Sequence, residues 1–311
     1  MLYPLSYEGV FPDDPAGPVR PDTDTSIQGV RPYYALGMRS APSAAPAVAF
    51  IPDTTSTRQY IGAWSVLSVL QYFAAEAAVI AAWAGPRPYD LRTGYISDLG
   101  AIYCGIYDGR EVCSPLNWLM NASFVVQGLG MLLGGLLLST GLLCVAAKAG
   151  APVRPARRKP WLAAGAVRVL IGTAGAGTVL VGLVPEDVGS GWHFVGAVMY
   201  FVAGALALLV LGLLWLHKTP LAWFILACGV VSSAALVTAG LTRLDVPEPG
   251  TLERLMGYPV TVGVAAAGLV IAQRVHRHRQ EIRAMAAFTG PSPRPGASGL
   301  PGTPPPRQPA G

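Results

Sequence analysis

The sequence predicts an all-α, polytopic membrane protein: a bundle of six transmembrane helices with a long ordered outer loop. Three observations lead there. Six apolar stretches, roughly 61–83, 118–147, 161–184, 192–216, 220–242 and 258–273, have or approach the length that crosses a bilayer, since about 20 residues at ~1.5 Å rise cover a hydrocarbon core of ~30 Å. The composition agrees, at 52% hydrophobic and 13% charged residues. Basic and acidic residues also segregate to alternate loops.

That segregation sets the expected topology. The loop after the second span carries Lys148, Arg154, Arg157, Arg158 and Lys159 with no acid, and the loop after the fourth carries His217 and Lys218. Beyond the sixth span lies R-V-H-R-H-R-Q-E-I-R, with four arginines and one acid. The acids of the spanning region gather in the other loops. By the positive-inside rule the basic loops and both termini are cytoplasmic, and the location expected is the plasma membrane. The net charge of +5 is placed for anionic headgroups, so membrane lipids are the expected partners and nucleic acid is not.

Residues 1–58 are rich in Pro, Ser, Asp and Thr without apolar periodicity, and read as a disordered arm. No signal peptide is evident, so the first span serves as the insertion signal. The transmembrane domain covers 59–275, and 276–311 reads as a basic juxtamembrane segment followed by a disordered tail. Within the bundle, Gly128, Gly130, Gly134 and Gly135 in the second span, and Gly165, Gly172, Gly175 and Gly182 in the third, suit close backbone contact between helices in lipid.

The first span joins the second through about 34 residues, more than a connection needs. Their aromatic and apolar content predicts a lid folded over the outer helix ends. Cys104 and Cys113 lie in it, on the oxidising side, and a disulfide is the natural reading. Two thiols with no nearby histidine are too few for zinc, so no metal is expected.

Polar residues interrupt the spans. Glu76 lies seven residues from the outer end of the first span, roughly 10 Å deep, where an ionisable group pairs, is protonated or faces a wet cavity. Asn121 and Gln127, His193, Thr238 and Thr242, Arg243 and Tyr258 follow at the outer ends of later segments. Arg168 lies at similar depth from the opposite face, and its long side chain is expected to snorkel to the headgroups. The string P-E-D-V-G-S-G-W-H puts Glu186, Asp187 and His193 within one outer turn. H-E-x-x-H, a Gly-rich phosphate loop and a nucleophile elbow are absent, and no cofactor is called for.

Four strings, Y-I-S-D-L-G (Tyr95 to Gly100), C-S-P-L-N-W-L-M-N-A-S-F (Cys113 to Phe124), V-G-L-V-P-E-D…H (Val181 to His193) and L-E-R-L-M-G-Y-P (Leu252 to Pro259), resemble a bacterial six-span family catalogued as domain of unknown function nine-nine-eight. The resemblance spans about residues 60–275. It implies the six-span topology and marks Asp98, Asn121, His193 and Arg254; it implies no activity, substrate or cofactor.

The candidate pocket is therefore Glu76, Asp98, Asn121, Asp187, His193 and Arg254, with the loop before the sixth span turning Arg254 inward. One reading is an outward-facing site for a small molecule or lipid headgroup, in a transporter or sensor accessory. A second is an intramembrane enzyme acting on a lipid through Asp98, Asp187 and His193, which needs His193 hydrogen-bonded to a carboxylate. A third is a scaffold within a membrane complex.

Overall fold

The structure, a computed structural model, describes residues 56–146 and 158–288. The N-terminal arm up to residue 55, most of the basic loop after the second span and the tail from residue 289 lie outside the described residues. Six helices among those described are long and apolar enough to cross a membrane.

The first span, Thr57–Ala81, begins at Ser56, whose hydroxyl accepts from the Arg58 amide at 3.2 Å. It comprises α1 (Thr57–Leu67), a 3-10 turn over Ser68–Leu70 and α2 (Gln71–Ala81). The second span, α3 (Asn117–Leu137), stops about ten residues short of its expected end. Leu138 turns extended, and Ser139 caps a separate short helix, α4 (Thr140–Val145), by accepting from the Leu142 amide at 3.2 Å. A Ser-Thr pair within an apolar run competes for the backbone in this way without disturbing hydropathy. The carbonyls freed at the end of α3 are taken by arginine: Arg168 donates to Gly135 at 3.0 Å and Leu136 at 3.3 Å, and Arg58 to Leu136 at 2.8 Å. Arg168, half-buried, thus closes a helix end with its guanidinium, a use the expected snorkelling did not include.

The remaining spans lie within α5 (Arg158–Leu183), α6 (Glu186–Trp215), whose span begins at Gly191, α7 (Leu221–Thr242) and α8 (Pro249–Phe288). Gly189 is non-helical inside α6, at φ −147° and ψ 59°, so Glu186 and Asp187 form a leading turn angled from the main helix. The last helix starts well before the expected residue 258 and continues past 273. Pro249 suits a first helical turn, where its missing N–H costs nothing. Arg254 consequently projects from α8, which corrects its placement in a loop.

Helix α5 packs between α3 and α6, while α8 packs on α1, α6 and α7. The last helix is the most enclosed, with 72% of its most apolar window buried, against 28% for α7. Helices α3 and α5 touch backbone to backbone: a Cβ on Gly128 would lie 2.5 Å from the Gly175 carbonyl, and one on Gly175 would lie 2.6 Å from that of Gly128. Without a hydrophobic drive between helices in lipid, such approach is what holds them together. Gly165 and Gly172, by contrast, face open space.

The lid occupies residues 82–116 and folds over one end of the bundle. It contains a 3-10 turn, Ser97–Gly100, and an antiparallel hairpin of β1 (Gly105–Tyr107) and β2 (Arg110–Val112). Asp108 and Gly109 form the turn with φ of 46° and 74°, the geometry that matches strand twist and that Asp-Gly favours. Cys104 and Cys113 are disulfide-bonded across the base of the hairpin.

Candidate functional site

Two buried charge centres and two cavities lie at the lid end. The first centre is built on Arg254, in the opening turns of α8. Its guanidinium donates to the carbonyls of Leu91 at 3.0 Å, Gly94 at 2.8 Å and Gly250 at 3.2 Å. It also donates to the hydroxyls of Tyr89 at 2.7 Å and Tyr258 at 3.0 Å, and to Glu76 at 3.1 Å. Glu76 accepts in addition from Tyr258 at 2.7 Å on both oxygens. Glu76 and Arg254 are both buried. A carboxylate and a guanidinium are tolerated there because nearly every polar atom has a partner. Burial also holds the Tyr89 phenol well above its ordinary range, against the pull of Arg254, so it stays protonated.

The second centre is built on Arg110 of β2. Its Nε and Nη2 meet Asp98 Oδ1 at 3.1 and 2.9 Å, and its plane stacks on the Tyr95 ring at 4.3 Å. Asp98 is buried and also accepts from the Tyr95 amide at 2.9 Å. Nη2 of Arg110 lies 3.6 Å from Glu186 Oε1, an oxygen that is buried without a hydrogen bond. Burial, with Asp98 beside it, pushes the Glu186 carboxyl up to about 8. Arg110 moves up from its ordinary value: burial opposes its charge, yet the bond to Asp98 and the charges of Asp98 and Glu186 outweigh that.

Next to this centre a groove of about 770 Å³ runs between the lid, the start of α6, the end of α7 and the first turns of α8. That volume lies within the ~300–1,000 Å³ typical of small-molecule sites. Arg110, Glu186, Arg243 and Glu253 line its lid end, and Phe194, Val198, Phe201 and Leu236 are among its apolar walls. A smaller internal cavity of about 50 Å³ adjoins it, lined by Gln127, Tyr200 and Thr261 among others. Ser97, His193, Ala197, Phe201 and Glu253 border both spaces. Gln127 donates to Thr261 at 2.9 Å and to Tyr200 at 3.3 Å. The buried Tyr72 hydroxyl, also at this cavity, has no hydrogen-bond partner among the described residues.

A family model described as "Protein of unknown function (DUF998)" matches residues 66–270. The chain belongs to this family. No curated protein and no solved structure matches it. Both charge centres and the whole lid of this DUF998 chain fall inside the matched segment.

The six candidate residues separate in this DUF998 protein. Glu76 and Arg254 form one centre, while Asp98 belongs to the other. Asn121 donates to the Gly100 carbonyl at 2.8 Å, and Asp187 accepts from the Tyr103 amide at 2.8 Å, so both pin the lid backbone. His193 alone among the six borders both cavities. Its Nδ1 lies 2.8 Å from the Val184 carbonyl, which can only accept, so Nδ1 carries the hydrogen. No hydrogen bond joins His193 to a carboxylate among the described residues, and the contact required by acid–base chemistry is absent there. Thr238 and Thr242 bond back to the carbonyls of Ala234 at 3.0 Å and Thr238 at 2.9 Å.

Arg110, Glu186 and Glu253 do more at the groove than most of the expected set. Glu253 accepts from the Ile96 amide, tying the lid to α8. Asp-Gly marks a turn with Arg110 at its exit, and Glu186 adjoins Asp187 in the outer P-E-D string, but neither pattern says that these side chains reach the groove. Nearby, Glu248 pairs with Arg92 at 2.6 Å.

Proposed function

We propose that this protein is a multi-pass plasma-membrane protein that binds an amphiphile, by its headgroup, in the groove beneath the lid. The groove carries this reading: charged groups stand at its lid end, and apolar residues of α6 and α7 form its walls. Phe194 and Val198 of that wall are exposed on the bundle surface, so an acyl chain can lie between the helices while its head stays under the lid. The lid end is taken as outward. Supporting this are the basic residues at the opposite end, His217 and Lys218 together with Arg274 to Arg283, and a disulfide that suits an oxidising compartment. Both termini are then cytoplasmic.

Native mass spectrometry of the full chain purified from membranes tests the reading. Gly240 and Gly191 line the groove, and a Cβ at either meets nothing within 4 Å. Gly240→Trp and Gly191→Phe therefore add a ring at the groove from positions where the first side-chain atom meets no neighbour. The wild type should retain lipid that both variants lose. Equal retention of the same lipids in wild type and variants would overturn the assignment.

A further inference from the structure

Resting on that amphiphile reading, we infer that the head of the guest ends in a vicinal diol, whose two hydroxyls enter the small internal cavity beside the groove. Hydrogen-bonding groups left open in the walls of that cavity lead to this assignment.

The cavity holds about 50 Å³, room for on the order of three or four water-sized groups. It is deep in the bundle: Gln127, in its wall, lies ten positions into α3 from Asn117, roughly 15 Å at helical rise. Polar groups at such depth are costly and are kept where they serve a purpose.

Tyr200 and Thr261 spend their hydroxyl hydrogens on the Gly257 carbonyl, at 3.0 and 3.3 Å, or on each other at 2.8 Å. Neither hydrogen is left for Gln127, which therefore turns its amino group to both hydroxyls. Its carbonyl oxygen then accepts from no described residue. His193 carries a hydrogen on Nδ1 for the Val184 carbonyl, which makes Nε2 an acceptor, also without a donor among the described residues. Tyr72 is 3% exposed, and its hydroxyl has no partner among them.

Two open acceptors and one open hydroxyl call for a guest with two O–H donors and a lone pair to receive the third group. A vicinal diol brings these in about four heavy atoms. An alkyl end would leave all three wall groups unpaired. An anion would find no lysine or arginine among the described lining residues. An ammonium would need an acid, and Glu253, the acid in this wall, already accepts from the Ile96 amide. A neutral diol binds whether or not Glu253 is charged. The way in is continuous, because His193, Ala197 and Phe201 border cavity and groove alike. The ligand class is therefore an amphiphile with a glycerol-like or sugar head, its chains along α6 and α7.

The test is a lipid titration of the purified full chain, read by native mass spectrometry. The probes are dioleoyl phosphatidylglycerol and dioleoyl phosphatidylpropanol, equal in charge and chains but with and without the diol. The glycerol lipid should bind about tenfold or more tightly, the scale of two added hydrogen bonds. Tyr72→Phe removes a hydroxyl that bonds to no described residue, so thermal stability should hold while the glycerol lipid binds about three- to tenfold more weakly. Gln127→Leu should weaken it likewise. Thr178→Val should leave the preference intact, because the Thr178 hydroxyl is spent on the Ala174 carbonyl at 2.8 Å. Equal binding of the two lipids would overturn the inference and leave the amphiphile reading standing. An undiminished preference in both Tyr72→Phe and Gln127→Leu would overturn the placement in the cavity. Free glycerol competing as well as the lipid would overturn the claim that an amphiphile carries the diol. Binding of neither lipid would remove both readings.

Discussion

Replacing Glu76 by alanine should destabilise the protein by about 3–5 kcal/mol, the usual cost of removing one partner from a buried ion pair. Glu76 and Arg254 are 3% and 7% exposed, so water cannot replace what is lost. Arg254 Nη2 would keep only Tyr89 at 2.7 Å, and Tyr258 would lose an acceptor at 2.7 Å. Glu76→Gln keeps an oxygen in place and should cost less, about 1–3 kcal/mol. Arg254→Met should cost at least as much as Glu76→Ala, because the carbonyls of Leu91 and Gly94 are orphaned as well. The double variant Glu76→Gln/Arg254→Met should cost less than the sum of the two, since no uncompensated charge remains. Cys144 and Cys228 are free and buried, so thermal unfolding in detergent can be followed by their reaction with a thiol-specific dye. At roughly 2–4 °C per kcal/mol for a chain of this size, Glu76→Ala should lower the midpoint by about 6–20 °C. A midpoint within about 2 °C of wild type would refute the claim that this pair holds lid and helices together.

Two further outcomes are expected. Glu186 has a folded pKa of about 8, above the ~4.3 of an unfolded glutamate; the folded state therefore holds the extra proton, and stability falls as pH rises through that window. Glu186→Gln removes the effect, so between pH 6 and 8 the variant should gain on wild type by roughly 2–3 kcal/mol; a midpoint difference that does not change with pH would contradict this. For orientation, a membrane-impermeant thiol reagent applied to intact cells should label Gly109→Cys at the hairpin tip and leave His217→Cys unlabelled, and the reverse pattern would invert the proposed topology.

Hydropathy locates all six spans because lipid allows no alternative to an apolar helix of that length. It misplaces the start of α8 for a physical reason. Glu253 and Arg254 look like solvent residues in one dimension, yet Arg254 pairs with Glu76, 178 positions away, and Glu253 accepts from the Ile96 amide, 157 positions away. The break after α3 rests on a single Ser-Thr pair, too small a signal for any window average. The hairpin was not expected in the lid, although Asp108-Gly109 between Gly-Ile-Tyr and Arg-Glu-Val is the pattern that forms one. For the site, the depth of Glu76 announced that a partner was needed. Which residue supplied it depended on the angular position of each helix, which hydropathy does not carry. Arg110 was hidden for another reason: an arginine beside a turn reads as a solvated charge until the fold places Asp98 under it.

The contacts of Arg254 also bear on how the protein is made. Its guanidinium joins Leu91 and Gly94 across 163 and 160 residues of chain, while Cys104 and Cys113 are nine apart. The hairpin can close soon after it leaves the ribosome. The floor beneath it waits for the last helix to enter the membrane. Until then Glu76 sits without its cation, an exposed defect of the kind that membrane quality control can detect, so a chain truncated before α8 advertises its own incompleteness.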